Sequence, residues 1–465
     1  MGMEMTSSST SISTQKPPAG KAVPENVFFV KSVYYYNTST IYPNNTAIIL
    51  FFGNLPGPPN NWHCITKNIN NTINVAEAEI KPLNDITPAS RWKVQTAKCE
   101  VVENALQMNF IALADPFSNI ALTTEEPIRE PRGLVACFEP MFYETRWQGL
   151  IIASELYAKW GVELQVHYVH SSVGDILNLL EPFVIEKLME IQPLNFPFID
   201  KITAAARGFD IAETIKTLAL QDCFLRYRES ATFIITGDVE EMFIPMNKGS
   251  LFDEFQFLST LAPTAPAIAA VTAFGRVYTA DMVEDFSLES TLYSITFENR
   301  NVPGNLVYNP KFAETPWIDF QSIFNASIDS NITNIHLHYV YDNTTFDGNK
   351  SINAPRLIDY IDLVVLFKPN RTIIDLPSVK AALNELPSYA ESYQMMDMKS
   401  FPPRLEDCNN PDCEAPKQNF SCNIGIEHYS QTGGSLAVFI PIKGIEHKYV
   451  KLQSDGCVDN NNETF

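Results

Sequence analysis

The pattern of apolar and polar positions changes once along the chain. Over residues 27–113, short apolar runs at 27–36, 47–52, 91–100 and 108–113 are divided by Asn, Pro and Gly, with no helical period. That spacing predicts a small all-β domain. Three prolines and several charges over 115–132 predict a linker. Beyond it, strand-like and helix-like runs alternate. Residues 133–138 form a short apolar strand, and 145–160 place Trp147, Leu150, Ile151, Ser154, Tyr157 and Ala158 on one helical face, with Gly161 positioned to cap it. Residues 163–169 alternate as a strand, 173–186 carry Ile176, Leu177, Leu180 and Phe183 at helical spacing, and 188–194 read as a further strand.

Asp210 and Glu213 have the spacing of a capping box, opening a helix through Ile211, Ile215, Leu218 and Leu225. An apolar strand at 233–236 follows. This βαβαβ order predicts an α/β fold with a mainly parallel, Rossmann-like sheet covered by helices. Strands at 267–278 and 292–298 suggest an antiparallel addition, and 334–341 and 362–367 are further strand candidates. The expected organisation is a disordered leader at 1–25, a β-rich domain and linker at 26–130, the α/β domain at 131–400 and a cysteine-containing tail at 401–465.

Charge narrows the function. With 33 Lys and Arg against 54 Asp and Glu, the net charge is −21, and an acidic chain makes a poor partner for the phosphate backbone of nucleic acids. Ten Asn-x-Ser/Thr sequons, at Asn37, Asn44, Asn70, Asn325, Asn331, Asn343, Asn349, Asn370, Asn419 and Asn462, fit a lumenal or extracellular protein. Eight cysteines point the same way. Cys408, Cys413, Cys422 and Cys457 crowd the polar tail, where disulfides would substitute for a core and a zinc site is the rival reading. The first 23 residues hold no apolar stretch of signal-peptide length, and 47–52 is too short to span a bilayer. The expectation is that a targeting segment is missing.

The candidate chemistry centres on Asp238, Glu240 and Glu241, three acids between two apolar runs. Acids are costly to bury alone, and the carboxyl ends of strands in open α/β sheets are where ligands bind. Two carboxylates at i and i+2 could converge on Mg²⁺ or Mn²⁺, with substrate phosphates completing the shell; a solvated acidic turn is the alternative. His336 and His338 share one side of a strand by period two, and one of them could join the acids. His170 and Ser171 follow a strand and precede a helix, where backbone N–H groups could meet a phosphate, or a serine could simply cap the helix. Asp222 lies near Arg226 and Arg228, as a local ion pair or as a contact to a nucleotide. No Gly-x-Gly-x-x-Gly, P-loop or Gly-x-Ser-x-Gly pattern occurs, which weighs against dehydrogenases, NTPases and serine hydrolases.

Taken together, several segments resemble glycosyltransferase family 92. They are Ala136-Cys-Phe-Glu-Pro-Met-Phe142, Thr145-Arg-Trp147, Val166-His-Tyr-Val-His-Ser171, Gln221-Asp-Cys-Phe-Leu-Arg226, Gly237-Asp-Val-Glu-Glu-Met-Phe-Ile-Pro245 and Ile335-His-Leu-His-Tyr339. The resemblance implies a GT-A fold and Mn²⁺-dependent, inverting transfer of a hexose, galactose by preference, from a UDP-sugar to a glycan or glycoprotein acceptor. It also implies a membrane-anchored protein of the secretory pathway, resident in the Golgi. Asp238, Glu240 and His338 would then hold the metal, and His170, Ser171, Asp222 and Arg226 would face the nucleotide. A carboxylate base would be Asp319 or Asp342. Glu240 departs from the usual Asp, which also admits a catalytically weak or inactive carbohydrate-binding protein on the same fold. A nucleotidyltransferase-like, phosphate-handling enzyme is a third possibility.

Overall fold

The computed structural model describes residues 27–53, 62–83, 93–112, 115–141, 144, 147–173, 176–195, 208–245, 249–278, 295–316, 328–340, 422–425, 427, 429–432, 437–442 and 449–452. In chain order the first part holds β1 (Val27–Tyr36), β2 (Thr46–Gly53), β3 (Trp62–Asn68), β4 (Ile73–Glu77), β5 (Glu79–Pro82), β6 (Val94–Glu100), β7 (Ala105–Ala112) and β8 (Asp115–Leu122). Then come β9 (Arg132–Phe138), α1 (Trp147–Lys159), β10 (Leu164–Val169), β11 (Ser171–Val173), α2 (Ile176–Ile185), β12 (Met189–Pro193), α3 (Gly208–Tyr227), β13 (Ala231–Gly237), β14 (Glu241–Ile244) and α4 (Leu251–Leu261). The remainder is β15 (Ala267–Tyr278), β16 (Thr296–Tyr308), β17 (Ile328–Val340), β18 (Cys422–Gly425), β19 (Tyr429–Thr432), β20 (Ala437–Pro441) and β21 (Tyr449–Leu452).

Every residue of β2 is buried, and its continuous apolar run reflects a strand covered on both faces rather than one. β1 and β2 belong to a six-stranded sheet of order β19-β20-β1-β2-β6-β5. On one face Phe28, Val33, Ile49 and Phe51 meet Trp62, Met108 and Phe110 of a four-stranded sheet, β4-β3-β7-β8. A disulfide from Cys64 on β3 to Cys99 on β6, with Cα atoms 6.1 Å apart, joins the two sheets. On the other face Phe29, Tyr34, Tyr36, Ile48 and Leu50 share a core with Leu218, Phe224 and Leu225 of α3. Apolar residues therefore fall all round α3, as a helix covered on both sides requires.

The eight-stranded sheet has order β12-β10-β9-β13-β16-β15-β17-β14. Its first four strands run parallel. Along β9, Leu134, Ala136 and Phe138 face α1 and α2, while Val135 and Cys137 face α3. This period-two split puts helices on both faces of the parallel half. The other half is mixed. β16 is antiparallel to both β13 and β15, β15 is parallel to β17, and β14 closes the sheet antiparallel to β17.

Three expectations are corrected. The sheet is parallel over one half only, because β15, β16 and β14 enter in mixed directions, and the described residues are richer in strand than in helix. Residues 115–122 are not linker but β8, antiparallel to β7, with Ile120 and Leu122 buried in the sandwich despite the neighbouring proline and charges. The described part of the tail also has a core: β20 runs parallel to β1 and buries Val438 and Phe439. Residues 1–25, the strand expected at 362–367, and Cys408, Cys413 and Cys457 lie outside the described residues. Among those described, no helix is long and apolar enough to cross a membrane.

Candidate functional site

Chain order along the parallel half places β9 and β13 side by side, with β10 and β12 wound outward from β9. The direction of winding reverses between β9 and β13, which makes their carboxyl ends the topological switch point where open α/β sheets bind ligands. Both strands end in an acid there: Glu139 follows Phe138 and Asp238 follows Gly237, and the Glu139 N–H donates to the Gly237 carbonyl at 3.0 Å.

The turn after β13 is built by Asp238. Its Oδ1 accepts from the Glu240 N–H at 3.1 Å, and its carbonyl accepts from the Glu241 N–H at 3.0 Å. Such Asx geometry is why Asp suits the first position of a tight turn. Val239 and Glu240 are buried, while Asp238 and Glu241 are half-buried. Asn305 on β16 donates to Glu241 Oε2 at 2.5 Å. A Cβ at Gly237 would come within 2.7 Å of that Asn305 amide and push it off Glu241.

Glu139 is the residue that sequence reasoning missed. Burial pushes its carboxyl up, the Lys216 ammonium opposes this, and Asp238 and Glu241 raise it further, to about 7. Lys216, on α3, reaches it at 2.5 Å. The signal was present in the sequence, since Glu139 ends one apolar strand as Asp238 ends another. Only the pairing of those strands makes them neighbours.

The late histidines stand on β17, the strand next to the far edge of the same sheet. Backbone register pairs His336 on β17 with Glu241 on β14. His338 lies two residues further along β17, where it pairs with Arg276 of β15. A divalent cation of the kind the resemblance implies takes carboxylate oxygens readily and tolerates imidazole. Asp238, Glu240 and the His338 position fit that donor chemistry. Among the described residues, no group of three or more His, Cys, Asp or Glu side chains is gathered closely enough to hold a metal ion. Asp319 and Asp342 lie outside the described residues.

The remaining candidates sit elsewhere. His170 and Ser171 both donate their backbone N–H groups to the Met141 carbonyl, at 3.0 and 3.1 Å. Those amides are therefore not offered to a phosphate, and Ser171 continues into β11, which pairs with β18 of the tail. Burial lowers the His170 imidazole to about 4. Asp222 is in the interior: Tyr34 donates to its Oδ1 at 3.1 Å and Tyr168 to its Oδ2 at 2.6 Å. Burial alone would raise its carboxyl, but the charge of Lys31, the nearby Ser32 hydroxyl, the Tyr168 hydrogen bond and the charge of Arg226 together hold it below the usual carboxylate range. β1 carries a bulge between Val30 and Ser32 beside this cluster. Arg226 is spent on Glu190, 3.0 Å away. Asp222 and Arg226 are thus parts of a packed polar cluster joining β1, β10, β12 and α3.

Residues 132–361 match the model of glycosyltransferase family 92. The chain carries a glycosyltransferase family 92 domain. Two family 92 proteins of Caenorhabditis elegans are 25% and 24% identical to it over 345 and 335 residues. Each alignment covers 70% of this chain, and they cover 65% and 64% of those proteins' own lengths, a little under two thirds. A third, from the same organism, is 23% identical over 385 residues, covering 77% of this chain and 74% of its own. Among solved structures, a crystal structure of S. aureus TarS in complex with UDP is 10% identical, with a TM-score of 0.24 over 45% of this chain and 60% of that one. A likeness that slight assigns neither fold nor ligand. The matched domain contains Cys137 and Cys223, which carry two of the family-like motifs and form a disulfide, Cα to Cα 6.0 Å, between β9 and α3.

Proposed function

We propose that the protein is a metal-dependent inverting glycosyltransferase with a GT-A-like domain. It moves a hexose, galactose by preference, from a UDP-sugar to a glycan or glycoprotein acceptor. The observation that carries the reading is the pair of acids, Glu139 and Asp238, ending adjacent parallel strands at the switch point of a family 92 domain. Asp238 and Glu240, with His338, would hold Mn²⁺, which when bound would neutralise charge growing on the diphosphate leaving group.

The protein's own residues divide the remaining work. Asn305 and the turn hydrogen bonds fix the acids in place before any donor arrives. Lys216 sets a fixed positive charge beside Glu139, which keeps the acid cluster from repelling an anionic diphosphate as strongly as bare carboxylates would. An acceptor hydroxyl needs a carboxylate base within hydrogen-bond reach; Asp319 and Asp342 are the candidates. Secretory-pathway, Golgi residence belongs to the same proposal.

Turnover of UDP-sugars with mixed glycan acceptors, with and without Mn²⁺, tests the reading. Metal-dependent transfer that Asp238→Ala abolishes, with the circular dichroism unchanged, is expected. Undiminished turnover in that variant removes Asp238 from the metal role. The second reading, a carbohydrate-binding protein without turnover, is favoured by Asp238 Oδ1 being committed to its own turn and by the burial of Glu240. Glycan binding with neither sugar transfer nor metal-enhanced UDP binding would establish it.

A further inference from the structure

The hairpin joining β3 to β4 carries an unusual surface. Ile69, Ile73 and Val75 are 74%, 61% and 56% exposed, all within seven residues. Ile73 and Val75 alternate on the outer face of β4, and register places Lys67 and Ile65 of β3 beside them. β4 is also the edge of its sheet. An apolar edge strand left bare is a template for aggregation, and proteins cover or charge such edges.

At the tip of this hairpin lies a sequon, Asn70-Asn71-Thr72. Asn68 organises the turn: its Oδ1 accepts from the N–H groups of Asn70 at 3.0 Å and Thr72 at 2.9 Å, and its carbonyl accepts from Asn71 at 3.1 Å. Asn71 takes φ 61°, in the left-handed region that asparagine tolerates. Asn70 and Thr72 are both exposed, and the Asn70 side chain has no partner among the described residues. Two other sequons on described loops differ. Asn37 Oδ1 accepts from Arg129 Nη2 at 2.8 Å, and the Thr46 hydroxyl of the Asn44 sequon is buried and donates to the Pro43 carbonyl at 2.8 Å. The neighbouring Cys64–Cys99 disulfide, in the same β-rich region, belongs to an oxidising compartment where such modification occurs.

We propose that Asn70 is N-glycosylated and that its oligosaccharide shields the Ile69, Ile73 and Val75 patch along the β4 edge. The Asn70 Nδ2 attacks the anomeric carbon of an oligosaccharide carried on a lipid diphosphate. The N–C bond forms as the C–O bond to the diphosphate breaks, the amide loses one proton, and nothing is oxidised or reduced. The first sugars then lie beside exposed isoleucines, and the bulky polar chain bars a second strand from pairing with β4.

The test uses the full chain secreted from eukaryotic cells. Glycopeptide mass spectrometry should find Asn70 occupied, and Asn70→Gln and Thr72→Ala should each remove the same single glycan. Enzymatic deglycosylation, or Asn70→Gln, should raise hydrophobic-dye binding and aggregation several-fold, and the triple change Ile69→Thr, Ile73→Thr, Val75→Thr should cancel that rise. An Asn70 peptide recovered unmodified from the secreted protein overturns the proposal. So does an occupied Asn70 whose loss leaves dye binding and aggregation unchanged, since the patch would then be covered by something else.

Discussion

Lys216 on α3 and the Glu139 carboxyl at the end of β9 lie 2.5 Å apart directly beside the acid turn, an ion pair once that carboxyl gives up its proton. The contact links the helix layer to the switch point, and the charges of Asp238 and Glu241 act on its acid half. Glu139→Gln is therefore expected to lower sugar transfer without unfolding the domain. The pH response carries the sign. Glu139 holds its proton up to about 7 when folded but titrates near its ordinary value of 4.5 when unfolded, so its contribution is complete below the unfolded value and is lost as pH rises through about 7. Thermal melts of the wild type and Glu139→Gln between pH 4.5 and 8 should show that downward component in the wild type only.

Acid should loosen a different part of the molecule. Burial holds His167 at about 3 and His170 at about 4, both below the ordinary 6.5. The unfolded chain takes up protons there before the folded one does, so these residues cost stability as pH falls from 6.5 toward 4. His167 stacks on Phe138, with ring centroids 4.5 Å apart, and neither of its ring nitrogens has a partner among the described residues. His167→Phe should keep the stacking and reduce the acid sensitivity, read as a smaller drop in Tm between pH 6.5 and 4.5. A drop equal to the wild type's would contradict the assignment.

The Cys137–Cys223 bond closes a span of 86 residues. Long closed loops remove the most freedom from the unfolded chain, and breaking this bond by Cys137→Ser with Cys223→Ser is expected to cost about 2–5 kcal/mol. Urea unfolding under non-reducing conditions measures it.

Arg228 is wholly enclosed at the carboxyl end of α3. It donates to the Tyr42 hydroxyl at 2.8 Å and to the carbonyls of Glu314 at 3.0 Å, Pro310 at 2.9 Å and Ala313 at 3.3 Å, with its guanidinium 4.4 Å from the Tyr42 ring. Lysine cannot reproduce that fork, and methionine would strand several carbonyls. Arg228→Met is expected to destabilise by about 3–5 kcal/mol, and limited proteolysis should then cut near residues 309–316 first.

Gly425 on β18 allows the tail to lie against β10. A Cβ there would fall 2.2 Å from the Val169 carbonyl oxygen, while the Gly425 N–H donates to His170 at 2.9 Å. Gly425→Ala is expected to lift β18 off, costing about 1–3 kcal/mol by overpacking. Faster hydrogen exchange at Ser171–Val173 would report it.

What the sequence made legible was local. The periodicity of Trp147, Leu150 and Tyr157 marked α1 closely, and Gly161, at φ 87°, ends that segment as its position suggested. The apolar run before Asp238 marked β13. Strand neighbours were not legible, because hydrophobic period fixes which way a side chain faces but not which strand lies alongside. Glu139 was passed over for that reason, although it stood in a motif already singled out. Asp222 stood open between a local ion pair and a nucleotide contact, because an acid on an apolar stripe with Arg226 and Arg228 nearby reads both ways. Its partners, Tyr34, Lys31 and Tyr168, come from segments far away in the chain. The bulge beside Lys31 leaves no mark in the apolar pattern.

The Lys31–Glu427 ion pair, 2.5 Å long, joins positions 396 apart. On a ribosome β1 emerges well before its parallel neighbour β20, which can pair with it only after all the residues between them have been made. Closing so wide a loop is slow, and until then the open flank of Val27–Phe29 is exposed to chaperones and to other nascent chains. The first sheet should therefore be completed late, with premature stops before residue 437 yielding chains that cannot seal it.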